Sequence, residues 1–131
     1  MKTQVEFRSN KFPPYSNEEE ELDPGVWGKR LAEYLVLKLS ELGVDAEDIV
    51  PEDWGWYVPI KIDGFTLALC CGHQQGDNDQ FLCFTDPKVP VIRKFFKKID
   101  ITPQLSRLVS ALEKILASDP DIRDVTWMAP D

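Results

Sequence analysis

Long apolar runs are missing from this chain of 131 residues, and nothing in it approaches the roughly 20 residues that a membrane-spanning helix requires. Its opening, Met1-Lys2-Thr3-Gln4-Val5-Glu6, holds no apolar segment of a secretory leader, so the expected compartment is the cytoplasm. Basic charge is also scarce. Fifteen Lys and Arg against 23 Asp and Glu leave a formal net charge of -8, which repels phosphate backbones and anionic membrane surfaces at long range. Neither nucleic acid nor a membrane is therefore expected as a partner, whereas a basic protein would be attracted. Cysteine is limited to three residues, two of them adjacent, an odd count without framework spacing that reads as reduced thiols. There is one histidine, no internal repeat and no long low-complexity tract. The length suits a single domain over residues 1–131, and chains of this size bury roughly 65 to 70% of their unfolded surface.

What is present reads as an α+β domain. Residues 4–8 suit a short strand, and Phe12-Pro13-Pro14-Tyr15 must be extended, because each proline restricts the residue before it. The acidic run at 18–23 precedes a helix with Asp23 as N-cap and Pro24 at its first position, where carboxylates complement the positive end of the helix dipole. Trp27, Leu31, Tyr34, Leu35, Leu39 and Leu42 form its apolar face, and Gly43 stops it. Further on, Ile92, Phe95, Phe96 and Ile99 recur at helical spacing and predict a short amphipathic helix. Thr102-Pro103 starts a long helix with Leu105, Leu108, Val109, Leu112, Ile115 and Leu116 on one face, ending near Ser118; a last strand covers 122–128. The expected architecture is an antiparallel sheet of four to five strands, built on the hairpin 54–62/65–72 plus 80–85, with two long helices and the short one packed on one face.

Asp63-Gly64 between two alternating runs is a strong hairpin signal, and it sets Ile62 opposite Phe65, Val58 opposite Leu69 and Trp56 opposite Cys71. That face is apolar, and alternation puts Trp54 on it beside Trp56. Pro59 falls in a non-hydrogen-bonded pair with Ala68, which predicts an edge strand at 54–62. Pairing Gly72 with Gln80 adds Phe81 and Cys83 to the Trp56 face and sends Leu82 and Phe84 to the other, beside Tyr57. Those three would make an apolar patch in need of a cover, from residues 12–15 or from a partner.

Cys70, Cys71, His73 and Cys83 include zinc-ligand types, yet adjacent strand residues point to opposite faces and no C-x-x-C spacing is present, so no metal and no cofactor is expected. A nucleophilic thiol, Cys71 or Cys83, would need His73 as base and Glu52 to orient it, and the register places Glu52 near the same end of the face as His73. A lone loop histidine more often lies on the surface. Glu52 and Asp53 as an acid–base pair are split by alternation and fit a solvated turn. Trp54, Trp56, Tyr57 and Phe84 are the candidate binding residues, since aromatics make interaction hot spots, although core packing explains them as well. Lys88, Arg93, Lys94, Lys97 and Lys98 form the one basic cluster, which suits the wet face of the short helix.

The blocks Phe12-Pro13-Pro14, Pro24-Gly25-Val26-Trp27-Gly28 with Leu31-Ala32, Glu52-Asp53-Trp54-Gly55-Trp56 and Leu82-Cys83-Phe84 span nearly the whole chain. In them the chain resembles a family of small uncharacterised bacterial single-domain proteins with no assigned activity. The resemblance implies a bacterial single-domain protein and transfers no catalytic residue. Charge, size and the missing catalytic constellation lead to the expectation of a non-enzymatic interaction protein, comparable to small acidic immunity or antitoxin-like proteins that neutralise a basic toxin domain. The alternative is a small hydrolase or transferase using His73 with Glu52 or a nearby cysteine. A third expectation, a subunit of a larger assembly, predicts self-association.

Overall fold

The computed structural model describes residues 1–18, 26–73 and 76–130. Alternating apolar positions give β1 (Gln4–Arg8), β2 (Val50–Glu52), β3 (Gly55–Pro59), β4 (Ala68–His73) and β5 (Gln80–Asp86), and helical spacing gives α1 (Lys29–Glu41). The remaining elements are β6 (Val91–Lys94), β7 (Lys97–Asp100), α2 (Thr102–Ser118) and β8 (Arg123–Met128). Six strands make one antiparallel sheet in the order β2-β3-β4-β5-β1-β8, and β6-β7 is a separate ribbon. The α+β class and the antiparallel sheet are as expected. Among the described residues, a six-stranded sheet and two helices replace the expected four to five strands and three helices. Among the described residues no helix is long and apolar enough to cross a membrane.

The core lies on one face of the sheet. Val5, Phe7, Trp56, Val58, Leu69, Cys71, Phe81 and Cys83 meet Leu31, Leu35 and Leu39 of α1 and Leu105, Leu108 and Leu112 of α2. Asp23 and Pro24, expected to cap α1, lie outside the described residues. The described helix starts at Lys29 after Gly28, whose position has no side chain to cap with, and a carboxylate from elsewhere supplies the acceptor.

The predicted pairing of Trp56 with Cys71 and Val58 with Leu69 is present. The Asp63-Gly64 segment, however, tips a wider loop. The β3–β4 ladder ends at Pro59 and Ala68, with one more bond from Ile60 N to Leu67 O at 2.8 Å, after which Lys61 N donates to Asp45 O at 2.9 Å. β3 is not an edge: β2 pairs with its first half and residues 45–47 with its second, leaving β2 outermost. In β4–β5, Gly72 pairs with Leu82 and not with Gln80. The shift is of two residues, so every side chain keeps its predicted face.

The short third helix is absent, and residues 91–100 form the β6–β7 hairpin. Its base explains why. Ile101 N donates to Pro90 O at 2.7 Å, so the chain must leave and return to one point, whereas a nine-residue helix would carry it roughly 13 Å away. Ile92 and Ile99 pair across the ribbon and rest on the core. Phe95 and Phe96, expected on a buried helical face, occupy the turn and are exposed.

Candidate functional site

α1 and α2 cover the core face, and among the described residues no element covers the opposite face of the sheet. One rung crosses it through Val50, Tyr57, Cys70, Phe84, Gln4 and Met128, and the next through Glu52, Gly55, Gly72, Leu82, Glu6 and Thr126. Tyr57, Leu82 and Phe84 are each half-buried there. Phe12 does not cover them; it lies in the core, 5.1 Å from the Tyr34 ring and 5.8 Å from Phe81.

Trp54 completes this patch. It was expected beside Trp56 on the core face, but Asp53 and Trp54 are the two-residue turn between β2 and β3, and strand alternation does not carry through a turn. Gly55 and Gly72, facing the open side, leave the space into which the turn folds, and a Cβ on Gly72 would stand 2.8 Å from the Trp54 carbonyl oxygen. The indole, 42% exposed, reaches the Phe84 ring at 5.6 Å. Lys88 Nζ lies 4.6 Å over the other candidate ring of this pair, Phe84, and its main-chain carbonyl accepts a bond from Thr3 Oγ1 at 2.8 Å. Glu6, Glu52, Asp53 and Asp86 lie along the border of the patch. Burial pushes the Tyr57 hydroxyl upward in pKa.

Trp56 leaves the candidate set for the interior. It is 2% exposed, and its indole Nε1 donates to Glu18 Oε2 at 2.8 Å. The same oxygen accepts the backbone N–H groups of Gly28 at 2.6 Å and Lys29 at 2.9 Å, while Oε1 accepts that of Tyr15 at 3.1 Å. Glu18 was legible in the sequence only as the first member of an acidic run. A buried carboxylate holding four donors, with Lys29 Nζ 5.2 Å over the Trp56 ring, is a structural fastening of α1 to β3.

His73 belongs to the same end of the core and not to the surface. Its ring stacks on Trp27 with centroids 3.6 Å apart and planes 9° apart, its Nε2 lies 2.8 Å from Asp77 O, and its backbone N–H donates to Trp27 O. Arg8 bridges Asp77 and Asp79, which holds this part of the loop to β1. Glu52, expected near His73, sits on the open face because the Asp53-Trp54 turn inverts the alternation. His73 shares the core face with Cys71 and Phe81, so the sheet itself separates the two groups.

The thiols are placed for packing. Cys71 and Cys83 pair directly across β4 and β5 in the core; their mutual hydrogen bond, with burial, raises the Cys71 thiol well above its ordinary pKa. Cys70 lies under Tyr57 and Phe84 on the open side, where burial, with Cys71 next to it, pushes it up to about 12. Neither Cys70 nor Cys71 is a ready thiolate at neutral pH. Among the described residues no group of three or more His, Cys, Asp or Glu stands where it could hold a metal ion.

A cavity of about 440 Å³ lies between α1 and the end of α2, lined by Lys11, Tyr34, Lys38, Glu41, Lys114 and Asp119 among others. Its polar groups satisfy one another: Asp119 Oδ2 accepts from Lys11 Nζ and from Tyr34 Oη, each at 2.6 Å. Chemistry is not assembled there, and the open sheet face is the candidate site. No protein-family model, curated protein or solved structure matches the chain.

Proposed function

We propose that this protein is a non-enzymatic interaction module whose open sheet face binds a basic protein, in the manner of small acidic immunity or antitoxin-like proteins. The observation that carries this reading is the patch of Trp54, Tyr57, Leu82 and Phe84, which the described residues leave open apart from the Lys88 ammonium over Phe84, and which Glu6, Glu52, Asp53 and Asp86 border. Aromatic anchors inside a charged rim are what protein–protein hot spots consist of, and an acidic rim selects a basic partner and speeds its approach. The net charge of -8 acts in the same direction.

The test is stoichiometric capture of a basic protein from cells of the source organism by the wild-type chain, repeated with Phe84→Asp. Loss of that partner on substitution supports the reading. A partner held equally well by Phe84→Asp, or no basic partner under any salt condition, rules it out.

A further inference from the structure

We propose that the β6–β7 hairpin is a membrane-contact element that seats Phe95 and Phe96 in the interface of an anionic lipid bilayer. The two phenylalanines form the turn, with φ of 52° and 64°, and are 82% and 103% exposed. Two successive left-handed residues are the requirement of a type I′ turn, which Asn-Gly meets without strain and a pair of phenylalanines does not. The chain thus places its two most exposed aromatics where local backbone preference disfavours them.

The charges around them are arranged for a plane. Arg93, Lys94, Lys97 and Lys98 are four of the chain's 15 cations within ten positions that contain one acid, Asp100. Arg93 pairs with Lys98 and Lys94 with Lys97, and successive rungs of a ribbon face opposite ways, so cations flank the apolar tip on both sides. A groove on a protein would meet one side of the ribbon. An anionic surface entered end-on meets both, with the rings at acyl depth and the ammonium groups at the phosphates. Lys94 Nζ also donates to Gly64 O at 2.6 Å, which steadies the ribbon against the neighbouring loop.

The acidic remainder of the molecule does not prevent this. The tip is anchored to the loop beside Asp63 through Lys94, but its four cations outnumber that acid, and repulsion from more distant acids is screened over the Debye length of about 8 Å at physiological salt.

Flotation with phosphatidylcholine vesicles, with and without phosphatidylglycerol and at low and high salt, tests the proposal. The wild-type chain is expected to bind the anionic vesicles at least about tenfold better than the neutral ones, and less at high salt. The variant F95N/F96G is expected to lose about tenfold or more of that binding while its Tm stays level or rises, since the new turn is unstrained. K97E/K98E should lose it as well. No binding to anionic vesicles at low salt overturns the proposal, and so does undiminished binding by F95N/F96G. Binding of a single-stranded oligothymidylate without vesicle binding also overturns it, and reassigns the hairpin to nucleic acid.

Discussion

The indole Nε1 of Trp56 donates to Glu18 Oε2 at 2.8 Å, and through that oxygen the segment at 15–18, the first turn of α1 and β3 are held at one point. The acceptor is a buried carboxylate, and the Gly28 and Trp56 donors, buried with it, have no water to turn to. Glu18→Ala is expected to destabilise the fold by about 3 to 5 kcal/mol, and Glu18→Gln by somewhat less because one acceptor oxygen survives. Urea unfolding followed by tryptophan fluorescence measures both. A loss below about 1 kcal/mol for Glu18→Ala would mean that the four donors find other partners.

Beside this fastening, three backbone segments approach too closely for side chains. A Cβ on Gly55 would lie 2.4 Å from the Cys71 carbonyl oxygen, and Gly55 has a φ of 150°. Gly55→Ala is therefore expected to cost about 3 kcal/mol or more, combining overpacking with an unfavourable backbone conformation. Gly64→Ala is the control, since Gly64 has positive φ but open space around it, and about 1 kcal/mol is expected there. Equal losses at the two positions would contradict the packing account.

These relationships mark where sequence reading succeeds and where it stops. Period-two and period-3.6 patterns placed β1, α2 and the faces of β3, β4 and β5, because burial on one side forces such patterns, and placed β8, although its residues are exposed or only half-buried. The hydrophobic spacing of Ile92, Phe95, Phe96 and Ile99 misled, since a ribbon with two isoleucines paired and two phenylalanines in its turn has the same spacing as a helical face. Only the bond closing Pro90 to Ile101 separates the two. Trp54 moved to the open face because a two-residue turn at Asp53-Trp54 breaks alternation, and Glu52 moved away from His73 with it. Glu18 was beyond reach: its role depends on Trp56, 38 residues away, and on Gly28 leaving the helix start uncapped.

The patch and the core should respond differently to truncation. Trp54 is 42% exposed and its one ring neighbour is Phe84 among the described residues, so Trp54→Ala should cost only about 1 kcal/mol of stability. If the open face binds a protein, the same change should weaken that complex by about 2 kcal/mol or more, some thirtyfold. Calorimetry on the purified pair, alongside thermal unfolding of the free variant, separates the two effects; a stability loss that accounts for the whole binding loss would assign Trp54 to the fold alone.

Thiol reactivity offers a fast check of the sheet interior. Cys70, Cys71 and Cys83 are buried, with Cys70 pushed up to about 12 by burial first and by Cys71 second. Native protein at pH 8 is expected to react with a disulfide reagent very slowly at all three positions, and to release three equivalents once unfolded in guanidinium. Rapid stoichiometric labelling of one thiol in the native state would show an accessible thiolate where the packing places none.

Acid should remove a stabilising contribution where α2 ends. Burial by itself would raise the Asp119 carboxyl, yet hydrogen bonds from Lys11 and Tyr34, and from the backbone N–H of Asp121, hold it down at about 2. A carboxyl depressed in the folded state binds its proton more readily when unfolded, so its stabilisation is complete above the unfolded pKa near 4 and disappears as pH falls through the folded value. Lys11 is 35% exposed, and solvent screening reduces the effect to about 1 to 2 kcal/mol. Urea unfolding at pH 6, 4 and 2.5 should show that much of the acid loss in the wild-type chain and correspondingly less in Asp119→Asn, which starts lower at pH 6 because it accepts the Lys11 and Tyr34 bonds without a charge. Parallel pH profiles for the two proteins would remove Asp119 from the acid response.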